Sequence, residues 1–142
     1  MSTRSVSVRE GQQLARSITA GPHRLTADEP RPISTDTGPN PGELLLAALG
    51  ACTSMTVRSY AGRHEWPLQR VDVDVAFDAQ GQIVKKVALV GDLERTQVER
   101  LLTVAGRCPI HRLLTKELAV VTVPSFVAAN GAQAPSAAEL GA

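Results

Sequence analysis

The sequence predicts a single domain that combines antiparallel strands with helices, and three observations support this fold class. The chain has 142 residues, the usual size of one domain. Apolar and polar residues alternate over 71–77, which is the pattern of a strand with one buried face. The run 44–52 is apolar nearly all round, as in a buried helix. We expect residues 1–127 to form this domain and residues 128–142, rich in Ala, Gly, Pro and Ser, to be a disordered tail.

The first part of the chain predicts a meander of two or three short strands. Apolar residues recur in segments near Val6, Leu14 and Leu25, which are broken at Gly11 and at the Gly-Pro pair 21–22. Residues 29–41 then contain four prolines, which exclude regular structure. We therefore expect a surface loop after the strands.

A long helix is predicted to begin after this loop. Asn40 can cap it, Pro41 suits its first turn, and Glu43 can complete a capping box. The helix should run to about Gly62 and lie at the centre of the fold, which places Cys52 in its middle.

The second half of the chain predicts a β-hairpin, two helices and a last strand. The alternating segment 71–77 is followed by a turn at 79–81 and a second alternating segment, 83–89. Thr96 and Glu99 form a capping-box pattern for a helix that ends near Gly106. A short helix is expected after Cys108, through residue 114, and a last strand at 118–123.

Composition excludes several classes of function. Fifteen basic and fourteen acidic residues are interspersed, so no strong attraction to phosphate or anionic lipid is expected. Four aromatic side chains are too few for a platform that stacks bases, so no nucleic-acid partner is expected. The N-terminus lacks the apolar core of a secretory signal, and the longest apolar run is too short to cross a membrane. We therefore expect a cytoplasmic protein.

Cys108 is the cysteine whose local sequence most favours reactivity. It precedes Pro109, which would occupy the first turn of a helix, so its sulfur would lie near the partial positive charge of that helix end. Such a position lowers the pKa of a thiol and increases the fraction of nucleophilic thiolate. A buried, inert packing cysteine remains the alternative reading of the same residues.

Cys52 by itself favours packing, because a cysteine in an apolar helix is more often core than active site. A zinc site built from the two cysteines and some of the three histidines is an open alternative, although no pair has close ligand spacing. A Cys-His hydrolase is a further alternative without a local signature.

Two motifs together resemble the OsmC/Ohr family. The first reads PGELLLAALGAC over residues 41–52, and the second reads CPIH over residues 108–111. The resemblance extends in order and spacing over residues 20–123 and is closest to the OsmC-like branch, whose second motif reads Cys-Pro, then Val or Ile, then His.

The resemblance implies an α+β fold in which antiparallel sheets wrap around a long central helix in an intertwined homodimer. It also implies a thiol-dependent peroxidase that reduces organic hydroperoxides and hydrogen peroxide, with an external dithiol as reductant. By position, Cys52 is the attacking residue and Cys108 the resolving one. No metal or other cofactor is expected.

The family's site also uses an arginine held by a carboxylate, which stabilises the negative charge of the reacting atoms. Arg31, in the loop before the long helix, is the first candidate and Arg24 the second. Glu43 is the candidate carboxylate, but it precedes Cys52 by nine residues where the family pattern has ten, and one residue turns a helical side chain by about 100°. The alternative is that Glu43 is only the capping-box residue of the helix.

Two other functions remain open on the same fold. The cysteines could sense oxidant or bind a small ligand without turnover, or they could be inert thiols of a purely structural dimer.

Overall fold

The computed structural model describes residues 2–129, which form an α+β domain of five strands and three helices. The elements in chain order are β1 (Ser7–Glu10), β2 (Arg16–Ala20), β3 (His23–Ala27), α1 (Pro41–Arg63), β4 (Leu68–Phe77), β5 (Ile83–Gly91), α2 (Arg95–Ala105) and α3 (Pro109–Leu114). The predicted tail at 128–142 lies outside the described residues, apart from Ala128 and Ala129.

The strands form two antiparallel sheets, as the sequence predicts. β1, β2 and β3 make a three-stranded meander in that order, and β4 pairs with β5 in a hairpin. The register of the hairpin places Val75 opposite Lys85 and Val73 opposite Val87. One face of the hairpin therefore carries Lys85 among apolar neighbours.

The loop between β3 and α1 is organised by a buried carboxylate. Asp28 accepts hydrogen bonds from the backbone N–H of Glu29 and from both the backbone and the hydroxyl of Thr37. The Thr35 hydroxyl donates a further one. Because Ser34 also donates, the carboxylate is stabilised in its charged form and the pKa of Asp28 lies far below its ordinary value, although burial opposes this.

Helix α1 begins as predicted, with a capping box. The Asn40 side chain accepts from the N–H of Glu43 at 2.9 Å, and the Glu43 carboxylate accepts from the N–H of Asn40 at 2.8 Å. Its C-terminal half packs against β4 and α2, where Val57, Ala61 and Leu101 lie in one buried cluster.

The expected complete burial of α1 is only partly found in the single chain. Leu49, Gly50 and Thr53 are buried, but Leu45 and Met55 are 40% and 67% exposed on another face. By length and hydropathy alone α1 could cross a bilayer, but its contacts with β4, α2 and α3 are those of a helix in the core of a folded domain.

Two local predictions are wrong. Helix α2 begins at Arg95 with Glu94 as its N-cap, and the N–H of Glu94 donates to the Gln97 side chain, so the expected Thr96 and Glu99 capping box does not form. No strand forms at 118–123. A strand requires a neighbour for its backbone groups, and no strand of residues 2–129 pairs with this segment.

Candidate active site

The two cysteines come together where the middle of α1 meets the start of α3. Cys52 is half-buried on α1, whereas Cys108 is completely buried at the N-cap position of α3. Cys52 is the residue before Thr53, whose hydroxyl lies 3.4 Å from the Cys108 sulfur. Both cysteines are free thiols. Two cysteines that are far apart in the chain therefore lie at one site.

Three groups surround the Cys108 sulfur with positive charge or donors. The backbone N–H of His111 donates to Cys108 Sγ at 3.3 Å, because Cys108 is the N-cap residue of α3. The Thr53 hydroxyl lies 3.4 Å from the same sulfur. Lys85 reaches in from β5, where its ammonium donates to Thr53 Oγ1 at 3.1 Å.

These contacts outweigh the effect of burial on the thiol. Burial by itself raises the pKa of Cys108, but hydrogen bonds from Thr53, His111 and Cys52, together with the positive charge of Lys85, hold it below its ordinary value. These surroundings therefore favour the thiolate of Cys108 more than water does.

The charge of Lys85 is held in place from a second side. Its Nζ donates to the carbonyl oxygen of Ala105 at 2.7 Å, at the C-terminal end of α2, where a cation is favoured. Burial lowers the pKa of Lys85, while negative charge on Cys108 and on Cys52 opposes that shift. Burial and the charge of Lys85 also lower the pKa of His111, which favours a neutral imidazole.

A cleft of about 480 Å³ opens beside this cluster. Lys85 and His111, which also contribute to the surroundings of Cys108, line it, whereas neither cysteine does. The other lining residues are Leu49, Gln82, Ile83, Leu114 and Thr115. The cleft therefore combines an apolar wall with one fixed cation.

The predicted arginines do not join the cluster within the described chain. Arg31 is exposed in the loop and Arg24 is exposed on β3, and neither side chain forms a hydrogen bond or ion pair with a residue of the 2–129 range. Glu43 is engaged in its capping box and is not bonded to either cysteine. The catalytic assignments of Arg31, Arg24 and Glu43 therefore stay predictions.

Thr53 and Lys85 are the site residues that the sequence interpretation missed. Lys85 falls at an inward position of the alternating segment 83–89, and a lysine among buried-face residues of a strand needs a partner. Thr53 follows Cys52 directly and only marked the return of polar residues to the helix. Among residues 2–129 no three His, Cys, Asp or Glu side chains gather as a metal site would require.

Fold and site together define an α+β protein with a dithiol held between a long helix and the start of a short one. The chain matches the family model described as OsmC-like protein over residues 34–123, which is more than half of its length. It therefore belongs to the OsmC-like family. A search of curated protein sequences gives no match.

Solved structures share the fold at low identity. An OsmC-like protein from Mycoplasma pneumoniae is 18% identical with a TM-score of 0.67, over 80% of this chain and 87% of that one. A protein from Aquifex aeolicus is 18% identical with a TM-score of 0.67, over 80% and 88%. An organic hydroperoxide resistance protein OsmC from Legionella pneumophila is 22% identical with a TM-score of 0.55, over 81% and 90%.

Proposed function

We propose that this protein is a cysteine-based peroxidase that reduces organic hydroperoxides with electrons from an external dithiol. The observation that carries the proposal is that both cysteines lie at one site with a cation: Thr53, the residue after Cys52, lies 3.4 Å from the Cys108 sulfur and accepts a hydrogen bond from Lys85. The family and the name of the Legionella pneumophila relative agree with this activity.

Cys52 is the attacking residue in this proposal, because it is the more accessible of the two sulfurs. Its thiolate attacks one peroxide oxygen, the O–O bond breaks, and the alkoxide takes a proton and leaves as an alcohol. Cys52 is then a sulfenic acid, which condenses with Cys108 to a disulfide and releases water. The external dithiol reduces the disulfide by thiol exchange and is itself oxidised.

The cleft supports a hydroperoxide with an apolar group as the substrate. Leu49, Ile83 and Leu114 offer apolar surface in the cleft that Lys85 also lines. Hydrogen peroxide would gain nothing from the apolar wall, so organic hydroperoxides should be reduced faster.

We also propose that the working form is a homodimer. Leu45 and Met55 leave an apolar face of α1 exposed, and an open groove of about 320 Å³ runs between α1 and β4 along Gly50 and Ala51. The irregular segment 118–127 exposes further apolar side chains, including Val120 and Val123. A second copy could cover α1 and supply the backbone partner that this segment lacks among residues 2–129.

The experiment is a peroxide consumption assay with purified protein, cumene hydroperoxide and dithiothreitol. Many turnovers are expected for the wild type and none for Cys52→Ser, which exchanges one sulfur for oxygen. Ser59→Ala is the matched control, since Ser59 is exposed on the same helix, and it should retain full activity. Consumption that stops after one equivalent would refute turnover and support a sensing role instead.

A further inference from the structure

The Lys85 ammonium is bonded to Thr53, and the direction of that bond fixes the direction of the next one. An ammonium group has donors and no acceptor, so Thr53 Oγ1 must accept from Lys85 Nζ in their 3.1 Å contact. The single hydroxyl proton of Thr53 is then free to point at Cys108 Sγ, 3.4 Å away. The geometry therefore makes Thr53 a donor to the sulfur.

Lys85 is anchored well enough to impose this direction. Its bond of 2.7 Å to the Ala105 carbonyl holds the ammonium from α2, while Thr53 holds it from α1. Two elements thus fix a cation carried by a third, β5. The ammonium group of an exposed lysine is mobile in water and would not be held by two elements in this way.

We propose that Lys85 and Thr53 act as a relay that keeps the sulfur of Cys108 ionised and so prepares it to form the disulfide. The relay serves the resolving residue, because the hydroxyl of Thr53 is bonded to Cys108 and not to Cys52. This assignment rests on the proposed peroxidase function for its role in turnover, but the ionisation of Cys108 can be tested without peroxide.

The step it promotes is the condensation of the two sulfurs. The Cys108 thiolate attacks the Cys52 sulfenic sulfur, an S–S bond forms, and the S–O bond breaks. The electron pair of that bond leaves with hydroxide, which takes up a proton and becomes water. The attack needs an anionic sulfur, but Cys108 is completely buried, and burial of a charge costs free energy. The hydrogen bond from Thr53 and the charge of Lys85 offset this cost.

The titratable groups that face the sulfur are few. Cys52 faces it from α1, His111 from α3 and Lys85 from β5, while α2 contributes only the carbonyl of Ala105. Burial lowers the pKa of His111 and favours its neutral form, so Lys85 is the cation of this group, although burial lowers its pKa as well.

The first test titrates thiolate absorbance at 240 nm in a Cys52→Ser background, where Cys108 is the one remaining thiol. Adding Lys85→Met should raise the apparent pKa of Cys108 by about one unit or more, as loss of a close opposite charge does. Lys86→Met is the matched control, because Lys86 is the next residue on β5 and is exposed. It should leave the pKa unchanged.

A second pair of variants tests the hydroxyl with the charge left in place. Thr53→Val keeps the shape and should raise the pKa of Cys108, whereas Thr53→Ser keeps the hydroxyl and should not. Circular dichroism verifies that each variant is folded. Unchanged titration in both Lys85→Met and Thr53→Val would overturn the relay and leave the peroxidase proposal standing.

A single-turnover experiment tests the role in disulfide formation. Protein with both cysteines is mixed with one equivalent of cumene hydroperoxide at pH 6, and the disulfide and the dimedone-trapped sulfenic acid are measured over time. Lys85→Met should form the disulfide about tenfold more slowly, because a pKa higher by about one unit leaves about one tenth of the thiolate at this pH. Sulfenic acid should therefore accumulate on Cys52. Equal rates in Lys85→Met and Lys86→Met would contradict the role. Absence of any oxidation in the wild type would refute the peroxidase instead.

Discussion

Replacement of Leu101 by alanine should destabilise the fold strongly, because Leu101 is completely buried between α2 and α1. Its side chain packs with Val57, Ala61 and Leu68 in the core cluster. The three carbon atoms lost in Leu101→Ala are worth about 2.4 kcal/mol at about 0.8 kcal/mol each. The cavity left behind raises the expected cost to about 3–5 kcal/mol.

Urea unfolding followed by circular dichroism measures this loss. At an m-value of about 2 kcal/mol/M, a loss of about 4 kcal/mol lowers the midpoint by about 2 M. Wild type and variant are compared at one protein concentration, because association with a second copy would make stability depend on concentration. Leu102→Ala is the matched control: Leu102 is 46% exposed and should cost less than about 1 kcal/mol. Similar losses for Leu101→Ala and Leu102→Ala would refute the described core.

Three further predictions concern the loop, the glycines and the assembly. The lowered pKa of Asp28 in the folded protein contributes stability above pH 4, and this stability is lost as the pH falls toward that pKa. Asp28→Asn should therefore be less stable than the wild type at pH 7. Its urea midpoint should also fall less between pH 4 and pH 2. An equal fall in both proteins would contradict this. Gly38→Ala places a methyl group against the carbonyl oxygen of Thr26 and should destabilise the fold by about 1–3 kcal/mol. The methyl group of Gly62→Ala meets no atom within 4 Å and should stabilise α1 by about 0.5–1 kcal/mol. Thermal melts in which both variants change stability in the same direction would contradict these positions. Sedimentation should give twice the chain mass of 15.0 kDa at micromolar concentration, and a monomer would refute the homodimer.

The elements that local signals define were predictable from the sequence. The start of α1 follows from the Asn40 and Glu43 pattern, and the hairpin follows from alternation of period two. The placement of Cys108 before Pro109 predicted a sulfur near the N–H groups of a helix end, and the His111 N–H does donate to it. In each case the neighbours that decide the structure lie within a few residues.

The other parts of the fold and the site could not be predicted, because they depend on contacts between residues that are distant in the sequence. Lys85 becomes a site residue only because β5 packs beside α1 and α2, so its partners Thr53 and Ala105 cannot be read from its own segment. The segment 118–123 has the pattern of a strand, but side-chain pattern does not supply a backbone partner. The two motifs indicated that Cys52 and Cys108 belong together, whereas the groups that lower the pKa of Cys108 could be identified only in the folded structure.

The most direct test of the account is the covalent state of the protein after oxidation. Wild-type protein is treated with one equivalent of cumene hydroperoxide without reductant, its free thiols are titrated, and its peptides are mapped by mass spectrometry. We expect both thiols to disappear together and a peptide pair joined through Cys52 and Cys108 to form within one chain. Two thiols that persist, or a Cys52 oxidised to sulfinic acid while Cys108 stays free, would contradict it.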